Sequence, residues 1–372
     1  MRVLVVAILL SCCLIGDGRA DGLPLSPPTP DTTRVDTAAS TDWLVLPFAS
    51  YAPDTKIAVG LLGGYYRTGG VGRATADGQV SITVTQRRQV ILQLTSELYS
   101  PRGAWRGLAD VEASRYPNSF YGIGDNTPAE REETYTSRYL KADVSAQRRV
   151  QPHLRVGPRV FVWAETDPTV EGACVSGRRT PLACDVVPGS AGGRAVGVGG
   201  QVTWDTRDSR YYPRRGTFAD VSALGHAPAW GSEETFARLV ADLRGYHAVG
   251  PGVAAAQFYT EAVAGTAPFQ LLPLLGGDER LRGYREGRYR DDVYWTAQAE
   301  YRMPLFWRFK ATVFGAVGDV GGAVDGALVR TLEGAVGVGG RLRLTDDGVH
   351  GRLDVAYSPT GVEIYVSLGE AF

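Results

Sequence analysis

The chain has 372 residues, and its 39 Lys and Arg against 40 Asp and Glu leave a formal net charge of -1. That balance argues against a nucleic-acid partner, and none is expected. The 47 Gly, 18 Tyr and 7 Trp point away from an ordinary soluble enzyme.

Residues 1–20, MRVLVVAILLSCCLIGDGRA, read as a secretory signal peptide. Arg2 supplies a minimal basic start, Val3 to Leu10 an apolar core, and Gly18-Arg19-Ala20 a small-residue cleavage site. Lipidation at Cys12 or Cys13 is the alternative, but the residues before Cys12 fit a lipobox only loosely. Residues 21–40, rich in Pro, Thr and Ser, read as a disordered linker. Beyond the signal no apolar run reaches the ~18 residues of a membrane-spanning helix.

From Asp42 onward the period is two. In Gln79–Thr85, Val80, Ile82 and Val84 form one face and Ser81, Thr83 and Thr85 the other. The same alternation runs through Tyr139–Gln147, Leu154–Glu165 and Val293–Arg302. It marks strands with one dry face. A soluble sandwich gives that signal too, but here the polar face carries charges of both signs, as a hydrated lumen would.

Strands are expected near residues 43–51, 57–68, 78–87, 89–100, 105–116, 133–147, 153–166, 193–206, 216–226, 233–247, 252–265, 291–302, 308–320, 333–345, 349–358 and 361–372. Sixteen is an even number, as a closed bacterial barrel requires. The fold class is therefore all-β: a transmembrane antiparallel β-barrel over residues 41–372, with long and short connections at opposite rims. Pro47 makes the first strand the weakest. Aromatic pairs such as Tyr211 with Tyr212 and Phe306 with Trp307 are expected in interfacial girdles. The final stretch, GVEIYVSLGEAF, puts Val362, Ile364, Val366, Leu368 and Phe372 on one parity. Phe372 is accordingly expected to face lipid as an outer-membrane insertion signal.

Cys174 and Cys184 lie in one polar loop of an exported chain, so a local disulfide between them is expected. No His stands near them to suggest zinc. His153, His226 and His247 have no metal-ligand spacing. His350, Asp354 and Ser358 share a strand face, but steps of four residues separate them by ~13 Å, too far for a relay. Neither a metal, a cofactor nor an enzyme is expected.

Several stretches together resemble one family. They are LRGY (Leu281–Tyr284), WDTRDSRYYPRRG (Trp204–Gly216), SFYGIGDNT (Ser119–Thr127), LPFASYAPDTKIAVG (Leu46–Gly60), FGAVGDVG (Phe314–Gly321), the pair GVGGRLRL and GRLDVAYS, and the final GEAF. In this order they are similar to the BamA/TamA-type outer-membrane barrel, the bacterial surface antigen family. The resemblance implies that the extracellular loop carrying LRGY folds into the lumen. Arg282 would then meet an acidic cluster on the wall, Gly283 would allow a tight bend and Tyr284 would pack on the wall. Asp354 and Asp319 are the candidate partners. Asp354 has lumen parity. Asp319 has the parity of Val313 and Val317 and would need a bulge to reach the lumen.

The resemblance also implies periplasmic POTRA domains before the barrel. The stretch 21–40 has no room for one, so a barrel without them is expected. Its place would be the outer membrane of a Gram-negative bacterium, inserted by the barrel-assembly machinery. Its partners would be lipid and a periplasmic or outer-membrane protein that brings clients. Outer-membrane protein assembly or translocation is the expected role, with a passive channel or a structural barrel as the alternative.

Overall fold

The computed structural model describes residues 40–53, 55–68, 76–100, 102–166, 168–171, 182–184, 186–322, 331–344 and 350–372. The signal and linker stretches fall outside these residues, apart from Ser40, as does Cys174. Sixteen strands form a closed antiparallel wall. They are β1 (Ser40–Ala52), β2 (Lys56–Thr68), β3 (Ala76–Thr85), β4 (Val90–Tyr99), β5 (Trp105–Phe120), β6 (Glu133–Gln151), β7 (Leu154–Thr166), β9 (Gly192–Asp205), β10 (Gly216–His226), β11 (Phe236–Val249), β12 (Gly252–Gly265), β15 (Val293–Pro304), β16 (Phe309–Gly321), β17 (Glu333–Arg343), β18 (His350–Ser358) and β19 (Gly361–Leu368). Three two-residue pieces stand outside the wall count: β8 (Thr169–Val170) pairs with the start of β6, while β13 (Leu274–Leu275) pairs with β14 (Tyr289–Arg290).

Alternation decides what each face does. Val80, Ile82 and Val84 on β3, Leu92 and Leu94 on β4, and Leu140 and Val144 on β6 all point outward and are exposed. A continuous girdle of exposed aliphatic side chains is stable only against hydrocarbon. The opposite parity points into the barrel and is polar. There Lys141 meets Glu112 at 3.0 Å, and Arg159 grips Asp143 with bonds of 2.8 and 2.6 Å.

The wall is not uniform. β1 pairs with β2 over thirteen positions, from Ser40↔Thr68 to Ala52↔Lys56. Its other edge meets β19 at one pair, Tyr51↔Val366. Pro47 therefore sits on the strand whose second edge is nearly unpaired, where a missing N–H is tolerated, and β1 runs through it unbroken.

The two rims also differ. Connections 121–132, 227–235 and 266–292 lie at one rim; 100–104, 152–153, 206–215, 250–251 and 305–308 lie at the other, together with the start of β1 and the end of β19. At the long-loop rim an aromatic core fills the lumen. Phe269 from the 266–292 loop packs edge-on against Phe120 at 5.1 Å and Tyr135 at 5.2 Å, with Phe161, Trp163 and Phe236 around them.

One expected strand end is corrected here. β19 stops at Leu368. Gly369 adopts a left-handed φ of 85°, which breaks the alternation, so Phe372 does not continue the lipid face. Ala371 and Phe372 are buried against Tyr246 and Ala255 on β11 and β12, inside the barrel.

Candidate functional site: the lumen loop and its arginine–carboxylate ladder

The loop between β12 and β15 enters the lumen as a narrow hairpin. β13 and β14 form its stem. Its tip, residues 276–288, holds four glycines with positive φ, and Leu281 adopts a φ of 47°. Gly283 is the position where glycine is required. Its φ is 114°, and a Cβ there would lie 3.1 Å from the Ala335 Cβ and 3.3 Å from the Ser358 Cβ. Without a side chain the backbone can press against β17 and β18. The Gly283 N–H donates to the Tyr365 hydroxyl at 3.0 Å, and its carbonyl accepts from Ser358 Oγ at 2.8 Å. Tyr284 is fully buried and its hydroxyl donates to Glu333 at 2.6 Å.

This docking carries Arg282 to the middle of the wall. Its Nη1 donates to Asp354 Oδ2 at 2.7 Å, and its Nη2 donates to Glu300. The guanidinium also lies over the Phe314 ring, 3.6 Å from the centroid. The side chains of Arg282, Asp354 and Glu300 are all fully buried. In such a dry setting a planar fork that reaches two carboxylates is well matched, and the point charge of Lys is not.

The pairs continue toward the short-turn rim. Asp354 Oδ1 accepts from Arg341 at 2.5 Å, and Glu300 Oε2 accepts from Arg302 at 2.8 Å. Both arginines then meet Glu370, Arg341 at 2.8 Å and Arg302 at 3.8 Å. Arg302 also donates to the Phe372 carbonyl oxygen at 2.9 Å. Arg282, Arg302 and Arg341 are thus matched by Asp354, Glu300 and Glu370, charge for charge. Buried ions are stable only in such a set, because any one left alone is costly. Arg352, 3.8 Å from Asp354, adjoins this set and ties the loop to the wall through Asp278 at 2.7 Å.

Of the residues singled out in the sequence, Arg282, Gly283, Tyr284 and Asp354 are brought together. Asp319 is not. The register between β15 and β16 runs unbroken to Val293↔Gly321, so no bulge turns Asp319 toward Arg282. Asp319 is buried at the long-loop end of β16, where it accepts from the backbone N–H of Val320 at 2.8 Å and of Thr331 at 3.1 Å. Glu300 takes the second place at Arg282. Its lumen parity was readable in the sequence, but its meeting with Arg282 depends on a loop that crosses the barrel. Arg302, Arg341 and Glu370 were missed for the same reason. Cys184 is disulfide-bonded; Cys174 lies outside the described residues. His350, Asp354 and Ser358 turn to different partners: His350 to Glu370 and Tyr212, Asp354 to the arginines, and Ser358 to the loop backbone. Among the described residues no cluster of potential metal ligands occurs.

Comparisons with known proteins agree with this geometry. No curated protein matches the sequence. Among solved structures, BamA from Haemophilus ducreyi lacking POTRA domains 1–3 superposes with a TM-score of 0.59 at 12% identity, covering 89% of this chain and 70% of that one. CdiB from Escherichia coli gives 0.56 at 11%, with 88% and 63% covered, and CdiB from Acinetobacter baumannii 0.52 at 10%, with 89% and 65%. The chain thus spans about two thirds of the length of these structures, and at such identities the likeness is one of fold. The family model of the Omp85 superfamily domain matches residues 178–372, more than half of the chain. A lipid-facing girdle on a closed sixteen-strand wall of this kind belongs in the outer membrane of a Gram-negative bacterium, and the protein is a member of the Omp85 superfamily.

Proposed function

We propose that the protein assembles or translocates other outer-membrane polypeptides at the junction of β1 and β19. The observation that carries this reading is the single pair Tyr51↔Val366 in a wall whose other wall-strand junctions are extended ladders. A strand edge with free N–H and C=O groups is a template for an incoming strand. The loop and the arginine–carboxylate ladder brace the β15–β19 side of that junction, so the edge can open while the rest of the wall holds. Clients arrive with a partner protein, and the surrounding lipid receives the finished barrel.

The test is a lock across the junction. Tyr51→Cys with Val366→Cys, oxidised in proteoliposomes, is expected to abolish insertion of an added unfolded outer-membrane polypeptide, and reduction is expected to restore it. Equal insertion by the oxidised and reduced forms would sink the proposal.

A passive channel is the second reading. It is favoured by the inner face of β5–β10, where Asp110, Glu112, Lys141, Asp143 and Asp220 remain part-exposed. A large, steady open pore for the wild type in planar bilayers would favour it.

A further inference from the structure

The motif WDTRDSRYYPRRG has no part in the loop or the β1–β19 junction. Its residues 206–215 connect β9 to β10 at the short-turn rim, opposite the loop. A two-residue turn would suffice for a hairpin, so its length needs another explanation.

This connection is stiff. Asp208 Oδ1 accepts from the backbone N–H of Arg214 at 2.8 Å and of Arg215 at 3.2 Å. Asp205 receives two bonds from the Arg207 guanidinium, at 3.0 and 2.8 Å, and that guanidinium lies 4.3 Å from the Phe218 ring centroid. Gly216 has a φ of 105°, and a Cβ there would lie 2.3 Å from the Thr206 carbonyl oxygen.

It is also attached on both sides. Arg210 forms an ion pair with Glu97, which points inward from β4 and is buried. In the other direction, Tyr212 lies beneath the Lys310 ammonium, 3.1 Å from ring centroid to nitrogen, and against the His350 ring at 4.9 Å. Lys310 belongs to β16 and His350 to β18. Along the wall, β4 is four strands from β9, and β16 is four strands from β10. The attachments therefore stand well apart around the ring, and the segment between them must cross the mouth. On the β4 side it borders a cleft of about 320 Å³ lined by Glu97, Arg106, Arg155 and Arg210. Tyr212, expected in an interfacial girdle, instead faces inward.

We infer that residues 206–215 are a strap that closes the lumen at the short-turn rim, in series with the loop that closes it from the long-loop rim. Two stoppers in series make a specific prediction: removing either one leaves the other, and the conducting path opens only when both are released.

The experiment is planar-bilayer conductance of four purified, heat-modifiable proteins: wild type, Arg282→Ala, Tyr212→Ala and the double variant. Both single variants are expected to conduct like the wild type, and the double variant many-fold more. Glu97→Gln in place of Tyr212→Ala releases the strap at its other end, and is expected to reproduce the result without touching the same packing. Conductance of Arg282→Ala alone equal to that of the double variant would overturn the strap, as would a double variant no more conductive than wild type. Full conductance from Tyr212→Ala alone would overturn the series arrangement by removing the loop from the path and leaving the strap as the stopper, which separates failure of the plugged-loop reading from failure of the strap.

Discussion

Arg282 and Asp354 stand 72 positions apart in the sequence and meet at 2.7 Å in the interior of the barrel, both without solvent exposure. One comes from a connection between strands and the other from the wall itself. Their meeting fixes where the loop stops, and it joins the loop to a chain of alternating charges that ends on the residues following β19.

Truncation of Arg282 leaves Glu300 facing one guanidinium instead of two, and Asp354 two instead of three. Removing one partner of a buried pair costs about 3–5 kcal/mol. Arg282→Ala is expected to convert from the compact to the unfolded band in SDS at clearly lower temperature than wild type. Arg282→Lys is expected to fall between them, because one ammonium cannot span both carboxylates. Gel shifts across a heating series read this directly.

Gly283→Val should act without any change of charge. It puts a branched side chain at a φ of 114° and into the Ala335 and Ser358 contacts. Strain of this kind costs about 1–3 kcal/mol, and the clash adds to it. The loop is expected to leave the wall and become cleavable by trypsin at Arg285 and Arg288. Protection equal to wild type would show that the tip is not pressed against β17 and β18.

Glu370→Gln tests the far end of the ladder. It takes counter-charge from Arg302 and Arg341, which then draw more on Glu300 and Asp354. The expected outcome is faster tryptic cleavage of the loop tip, although Glu370 touches no loop residue among the described contacts. Limited proteolysis in detergent, followed by mass spectrometry, checks it.

Asp319→Asn is the contrasting case. Its oxygens cap backbone N–H groups at Val320 and Thr331, so its loss is expected to loosen the local connection by about 1 kcal/mol and to leave loop protection as in wild type. Asp354→Asn is expected to expose the loop.

Much of this architecture was legible in the sequence because a wall strand has one strict local rule. The alternation of Val80, Ile82 and Val84 with Ser81, Thr83 and Thr85 gives the two faces directly, and the same parity put Asp354 in the lumen. What parity does not carry is which inward residues face one another across the barrel. Glu300 has the right face, but so do Gln298 and Arg302; only the depth of the loop selects it. Asp319 was attractive by motif and excluded by register. Phe372 has lipid parity, yet Gly369 ends the strand before it, and a left-handed turn cannot be read from a single glycine. Tyr212 was assigned to the membrane boundary by type, while its Lys310 and His350 contacts arise from a connection that crosses the mouth.

The central claim is that Arg282 and Asp354 are bonded inside a lipid-embedded barrel. A double-mutant cycle on unfolding of the purified protein in bilayers tests it most directly, using Arg282→Ala, Asp354→Ala and both together. Directly bonded buried partners are expected to show a coupling of about 1 kcal/mol or more. Effects that add within ~0.5 kcal/mol would contradict the account, because two residues that never meet lose nothing twice.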